Sequence, residues 1–499
     1  MELTFSKKAC SCLRKAVRQI QTQEQTQELR LPDSMPDIGR VLGCWGQTLI
    51  RSKEWRGNSM SVSGGVMVWV LYAPEDASAP RSMESWIPFQ LRWEFPQTDR
   101  DCTMHIAALL RSVDARSTSA RKLMVRANVS VLGEAFEPME AEIAVPENVP
   151  EDLQLLKNTY PMDLPKEAGE KQFQVDEELN LSDTCPEIAK ILRYALQMKV
   201  LEHKVMAGRL VFRGKGDLRM LYADADGAIH SWECEVPFSQ YAELDRDYGS
   251  NSSAAIFPAL TNLELTADAP RRLLLKCGMC AQYVICDREM VELAEDAYSP
   301  VRQVKTELQE LKMPLRLDQK RETMRTRQQL TAPAQQVIDV CFLPDHPQQR
   351  QNGDVAELAV PGQFQVLYYD QTGSLQSGTV RGEETWLLTS APGNQVDACI
   401  QLDGCPVAEV NEQGVVMTAQ WEITADVFAE QGLPMLHQIT LGEKCEKDPN
   451  RPSLILRRAG QQRLWDMARE CGSTVDAIMQ ANDLQDQPEA GRILLIPIT

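Results

Sequence analysis

Apolar and polar residues alternate along most of this chain. In KLMVRANVSVLG, Leu123, Val125, Ala127, Val129 and Val131 alternate with Arg126, Asn128 and Ser130. A period of two places successive side chains on opposite faces of a strand, so the segment predicts a half-buried β-strand. SVSGGVMVWVLYA, ESWIPFQLRWEF, FQVDEELNL and LLLKCGMCAQYVI predict strands on the same grounds, with turn-rich stretches such as PEDASAP between them. Many short strands at regular spacing favour a sandwich or paired small sheets. Helical spacing is sparse. In LPDSMPDIGRVL, Ile38, Val41 and Leu42 fall at i, i+3 and i+4 behind Pro36 and Asp37. In LSDTCPEIAKIL, Ile188, Ile191 and Leu192 do the same behind Pro186 and Glu187. Pro and an acid suit a first helical turn, so each stretch predicts a short helical plug seated on a larger sheet. Residues 1–28 are ambiguous: Leu13, Val17 and Ile20 have near-helical spacing with basic residues between them. A surface-seeking amphipathic helix and a lead-in strand or helix packed on the first repeat both fit, although the following QTQEQTQEL has no apolar face.

The two plugs are one element stated twice, Leu31 recurring at Leu181. VLYA at Val70–Ala73 returns as MLYA at Met220–Ala223, IPF at Ile87–Phe89 as VPF at Val236–Phe238, and RKLMVRA at Arg121–Ala127 as RRLLLKC at Arg271–Cys277. Such self-similarity means two copies of one folding unit, too long for a solenoid repeat. A third, decayed copy carries VLYYD at Val366–Asp370 and VVMTAQWEI at Val415–Ile423, without a readable plug. The expected organisation is a lead-in (1–28), repeat 1 (29–160), repeat 2 (172–301) and a degenerate β-rich third repeat (302–445). A charged, Pro-bearing stretch, TYPMDLPKEAGEK, is expected to join the first two repeats. LPDHPQQRQNGD (343–354) reads as a polar loop, and GEKCEKDPNRP (442–452) as a linker.

Residues 453–499 differ in kind. SLILRR predicts a strand. Leu464, Met467 and Ala468 share one helical face, and Val475, Ile478 and Met479 share another after a Ser/Thr cap. ILLIPI closes with a strand. Strand–helix–helix–strand in so short a span predicts a small two-layer domain.

Composition narrows the function classes. At 499 residues the chain has room for three or four domains. A net charge of −19 argues against sequence-independent nucleic-acid binding and against attraction to anionic lipid. No run of about 18 apolar residues predicts a membrane span. Lys7, Lys8, Arg14 and Lys15 lack the apolar core that would complete a signal peptide, so a cytosolic protein is expected. Fourteen scattered Cys agree with reduced thiols. Cys277-Gly-Met-Cys280 resembles half a zinc site, but in a strand its two thiols point to opposite faces and no partner pair follows, so buried core thiols are expected.

Two resemblances follow from these residues. Residues 453–499 resemble a LysM domain through Leu454–Leu456, Gly460, the Leu464-Trp465 pair, Asn482-Asp483-Leu484, and Gly491 before ILLIP. That implies a β-α-α-β fold and a groove between the loop after strand one and the loop after helix two, usually for N-acetylglucosamine-containing glycan. The repeats resemble the SPOCS domain through LPDSMPDI, VLYA and IPF. SPOCS domains occur in tandem ahead of a LysM domain in SipL-type spore-coat morphogenetic proteins of clostridia. The combination implies a multidomain chain of tandem, mostly-β, sandwich-like SPOCS repeats followed by a small α/β LysM domain. It further implies action in the mother cell, with the LysM domain docking on the coat-basement ATPase, stage IV sporulation protein A, at the forespore surface. Where the glycan-binding pattern has Gly-Asp-Thr, this chain has Gly460-Gln461-Gln462, losing local loop bonds that Asp and Thr make well.

Catalytic patterns do not emerge. His105, His203, His230, His346 and His437 form no H-E-x-x-H array, and there is no G-x-S-x-G elbow or P-loop. Glu383-Glu384 are adjacent rather than on one helix face, and Trp86, Phe89 and Trp93 lie on a strand as packing residues. The expectation is a non-catalytic scaffold without cofactor or metal. Its partner contacts would be Gly460, Gln461, Gln462, Arg463 and Leu464, with Asn482, Asp483 and Leu484 opposite. The alternatives are a peptidoglycan-binding cell-wall protein and an enzyme with a pocket confined to residues 302–445.

Overall fold

The computed structural model describes residues 1–76, 78–95, 102–249, 251–445 and 452–498. The first unit has six strands: β1 (Phe5–Arg30), β2 (Ile38–Arg56), β3 (Ser59–Pro74), β4 (Arg81–Glu94), β5 (Thr103–Ser119) and β6 (Lys122–Pro146). They form two antiparallel sheets, β1–β6–β5 and β2–β3–β4, enclosing one core. The strand with the plainest alternation is the central β6: Leu123, Val125, Ala127, Val129 and Val131 are all fully buried.

The second unit repeats this order. It comprises β7 (Gln154–Asn180), β8 (Lys190–Met206), β9 (Arg209–Ala223), β10 (Ile229–Glu243), β11 (Ser253–Ala269) and β12 (Arg272–Tyr298), in sheets β7–β12–β11 and β8–β9–β10. The third unit does so again with two strands broken. Its long antiparallel pair is β13 (Arg302–Leu330) with β20 (Gly414–Lys444), and its second sheet is built on β16 (Val355–Asp370) and β17 (Leu375–Thr389). The second strand is split into β14 (Ala334–Pro344) and β15 (Gln348–Asn352), both pairing with β16. The fifth is split into β18 (Gln395–Leu402) and β19 (Val407–Asn411), both pairing with β20. The breaks fall where the other units carry β-bulges, between Ile50 and Ser52 and between Val200 and Glu202 for the second strand, and between Leu110 and Ser112 and between Leu260 and Asn262 for the fifth. Pro347 and Pro406 lie in the interruptions; Pro cannot donate to a ladder.

Several expectations are corrected. The plugs are not helices: residues 31–37 and 181–187 are turns, and Ile38 and Lys190 open strands. The spacing of Ile38 and Leu42 looked helical because β-bulges follow Ile38 and Val41, and each extra residue flips the faces downstream. Of the two readings of residues 1–28, the strand on the first repeat is the one seen: residues 5–30 form β1, paired with β6 from Phe5–Pro146 to Arg30–Lys122, as an edge strand of the first unit. A bulge between Lys15 and Val17 disguised its period, and its Gln, Thr and Glu keep an exposed edge polar. TYPMDLPKEAGEK is no linker but part of β7, where Met162 and Leu164 are buried. The stretch 343–354 contains β15. Of the linker expected at 442–452, residues 446–451 lie outside the described residues.

The turns are latched identically in the first two units. Arg121 donates to the carbonyls of Pro32 (2.8 Å) and Met35 (3.3 Å) and pairs with Asp37; Arg271 donates to those of Ser182 (2.9 Å) and Cys185 (2.7 Å). Tyr72 Oη donates to the Pro36 carbonyl (3.0 Å), and Tyr222 Oη to that of Pro186 (3.1 Å). In the third unit residues 331–333 alone join β13 to β14.

The units close into a ring, β11 packing on β2, β5 on β14 and β18 on β8. Two apolar clusters draw on all three. One gathers the long antiparallel pairs, with Cys12 and Ile143, Leu164 and Leu293, and Met313 and Met435. The other gathers the bulged residues Leu42, Leu192 and Ile338 with Leu71, Leu221 and Leu367. The residue after each of these bulges pairs with the last three, and it is Gly43, Arg193 or Asp339. Arg193 and Asp339 form a buried ion pair; Arg219 Nε lies 2.7 Å from the other carboxylate oxygen, and Trp45 covers the Arg193 guanidinium at 5.0 Å.

The C-terminal segment runs β21 (Leu454–Arg458), α1 (Leu464–Cys471), α2 (Val475–Ala481) and β22 (Ile493–Pro497), with β21 and β22 antiparallel. Gly472 at φ 62° ends α1, and Thr474 Oγ1 caps α2 by accepting from the Ala477 N–H at 3.1 Å.

Candidate interaction site

The C-terminal knob is anchored to the end of the second unit by its first helix. Tyr298 and Trp465 meet edge to face at 4.7 Å, Trp465 Nε1 and Arg469 both donate to Asp296, and Tyr298 Oη donates to the Ser473 carbonyl at 3.0 Å. An aromatic pair with satisfied polar ends makes a directional contact. One face of the knob is therefore covered by its own chain.

The residues singled out in the sequence lie in and beside the loops that follow β21 and α2. Gly460 and Gln461 are exposed, and nothing lies within 4 Å of where a Gly460 Cβ would sit. Gln462 bridges Arg457 and Glu470. Arg463 caps α1 and pairs with Asp466 at 3.0 Å. Leu464 is buried in the knob core, and Leu484 packs against it. The Asn482 side chain is fully engaged: Nδ2 donates to the Ile478 and Leu495 carbonyls, and Oδ1 accepts from the Leu495 N–H. Asp483, exposed, holds the left-handed conformation at φ 48°. The two loops are adjacent, since the Leu464 N–H reaches Gln487 Oε1 (3.3 Å) and Arg492 reaches the Asn482 carbonyl (2.9 Å). Leu464 and Asn482 thus shape the rim, while Gly460, Gln461, Arg463 and Asp483 reach solvent. The outer face of the hairpin, not anticipated from sequence, exposes Leu454, Leu456, Ile493 and Leu495. The available signal was the unbroken apolar run in each strand, Leu454–Leu456 and Ile493–Ile496, because a period of two sends half of it outward while Ile455, Leu494 and Ile496 face in.

A second concavity lies where the three units meet. It encloses about 550 Å³ and is lined by β1, β5 and β6, by β7, β8, β11 and β12, and by β13, β18 and β20. Its buried acids and bases are paired with one another. Lys15 sits between Glu134 and Asp397, over the rings of Phe136 (5.2 Å) and Phe428 (5.9 Å). Arg316 pairs with Asp163 at 2.8 Å and Asp426 at 3.4 Å. Burial pushes the Cys286 and Cys399 thiols up to about 12. Buried His105 is held neutral, its pKa lowered to about 3 by burial and by Lys53 and Lys15. The concavity is not confined to residues 302–445, and a single repeat read alone could not reveal it. Among the described residues, no group of three or more His, Cys, Asp or Glu is placed to hold a metal ion. Cys277 and Cys280 are both buried free thiols.

No helix among the described residues is long and apolar enough to cross a membrane. No curated protein matches the chain, nor does any solved structure. Residues 187–266, from the second latched turn through β8, β9 and β10 into β11, match the family model described as SipL, SPOCS domain. That match supports SPOCS-domain identity for this stretch of the second unit.

Proposed function

We propose that this chain is a non-catalytic scaffold of spore-envelope assembly, acting on the mother-cell side of the developing spore. The observation that carries the reading is the SPOCS-domain match at residues 187–266, which points to a sporulation protein of SipL type. The knob at 453–499 serves as a LysM-like docking head for a coat-basement protein resembling stage IV sporulation protein A. Its rim, exposed Gly460, Gln461, Arg463 and Asp483 with half-buried Gln462, makes the contact, and Leu464, Asn482 and Leu484 hold the rim in shape. The Trp465–Tyr298 anchor supports this division of labour, because it fixes the knob on the ring while Gly460, Gln461 and Asp483 stay exposed. Weak contacts from ring and knob would reinforce one another through effective concentration.

The test combines localisation and capture. A fluorescent fusion should encircle the forespore, and the full chain should retain the coat-basement ATPase from sporulating cells. Gln461→Ala with Asp483→Asn should weaken that capture with little change in melting temperature, since exposed substitutions usually stay within about 0.5 kcal/mol and Asn accepts the left-handed conformation at 483. Retention on purified peptidoglycan that chitin oligomers compete away, without ATPase capture, would defeat the reading in favour of glycan binding.

A further inference from the structure

The central chamber is asymmetric in a way that bears on what it holds. Strand register makes Lys15, Pro165 and Arg316 equivalent, each flanking a bulge, with cross-strand partners Phe136, Cys286 and Phe428. By the same register Glu134 faces His105, Val284 faces Ala255, and Asp426 faces Asp397. The first and third units thus supply charged and aromatic groups. The second supplies Pro, Cys, Val and Ala, smaller and uncharged. An unfilled volume of this size is costly in a close-packed interior.

The buried charges of the wall are already neutralised by one another, so none of them is free to hold an ionic ligand. One polar group stands out. His105 is 3% exposed, lies against Phe136 (5.0 Å) and Phe257 (6.1 Å), and neither ring nitrogen makes a hydrogen bond. The Gly169 carbonyl is near enough to favour its protonated form without completing a bond. His346, on the same wall, has the Ser130 and Ala107 carbonyls beside it. Buried polar atoms in folded proteins are satisfied in the large majority of cases, so the His105 imidazole, with both nitrogens unpaired beside a cavity, calls for a partner. A neutral imidazole offers one N–H donor and one acceptor. A mostly apolar cavity with a few convergent polar groups is the usual form of a small-molecule site.

We propose that the chamber is a binding site for a small uncharged amphipathic molecule, its hydroxyl, amide or ketone head hydrogen-bonded to His105 and its apolar body against the wall of the second unit. The probe is prodan, an uncharged naphthyl ketone whose emission shifts to the blue in apolar surroundings, titrated into the full chain. One prodan should bind per chain with blue-shifted emission. Ala255→Trp, and independently Val284→Phe from the neighbouring strand, should abolish binding by filling the space, with folding checked by circular dichroism. His105→Leu should weaken binding roughly tenfold, as expected for loss of one buried hydrogen bond, without lowering the melting temperature. Leu456→Glu, on the exposed hairpin, should leave binding unchanged. The proposal is overturned if prodan does not bind, if both filling variants fold and still bind it, or if Leu456→Glu removes binding instead.

Discussion

Removing the anion at the centre of the ring tests how the three units are held together. Asp339→Leu would leave Arg193, whose side chain is 5% exposed, and Arg219, 12% exposed, without their shared carboxylate. Breaking a buried pair by deleting one partner costs about 3–5 kcal/mol, most of it the penalty of an uncompensated charge. Two features reduce the figure. Arg219 keeps Glu233 at 3.3 Å, and Arg193 keeps the face of Trp45, a contact worth about 1–2 kcal/mol when desolvated. The expected loss is therefore about 3 kcal/mol, at the lower end. Urea unfolding followed by circular dichroism measures it, and the first transition is the one to read, because a chain of several units need not unfold in one step. The double variant Arg193→Met with Asp339→Leu should recover most of the loss, since an apolar pair can replace a buried ion pair at little cost. A single-variant loss below about 1 kcal/mol, or a double variant no better than the single, would refute the claim that this pair is desolvated and shared.

Three further outcomes follow from the geometry. Arg271→Ala removes two hydrogen bonds to turn carbonyls and should cost about 1–3 kcal/mol, as should Arg121→Ala in the first unit; hydrogen exchange should quicken at the affected turn and leave the other protected. Ile188→Asp places a charge where the side chain is 8% exposed and should cost more than either; a melting temperature within a degree or two of wild type would show that the turn does not seat there. Acid should destabilise the protein through its buried histidines. The folded-state values of His105 and His346 lie near 3 and 4, below the ordinary 6.5, so the unfolded chain binds protons that the folded chain refuses. That stability is fully present above about pH 6.5 and declines as pH falls towards 4, by up to about 1.4 kcal/mol per pH unit for each histidine. Asp426 and Glu167, raised by burial, act in the opposite sense, so the comparison that isolates the effect is wild type against His105→Leu, whose profile should be flatter. Parallel profiles would show that His105 is not buried neutral.

What could be read in the sequence depended on whether a pattern was local. The alternation of β6 gave the strand and its buried face directly, and the recurrence of Leu31, Tyr72 and Arg121 at Leu181, Tyr222 and Arg271 marked a duplicated unit whose shared role, latching a turn, emerges only from hydrogen bonds across the fold. The misread segments share one cause. Bulges at Leu42, Leu192 and after Lys15 insert a residue that pairing skips, and the resulting odd spacing imitates a helix. Polar β1 and charged β7 read as lead-in and linker because edge strands show few apolar residues. The chamber was out of reach, because His105, Cys286 and Arg316 come from three repeats and converge only when the ring closes.

The bulges have a last consequence. At a regular ladder position an added residue would turn every later side chain to the wrong face, whereas at a bulge the pairing is already out of step and can absorb more. The third unit illustrates this: the two positions that hold a single surplus residue elsewhere hold the detours Asp345–Pro347 and Asp403–Pro406 here, and pairing resumes beyond both. The first detour delivers His346 and Pro347 to the central wall. Such points are growth sites, through which one copy of a duplicated architecture can acquire new surface while its siblings keep the original plan.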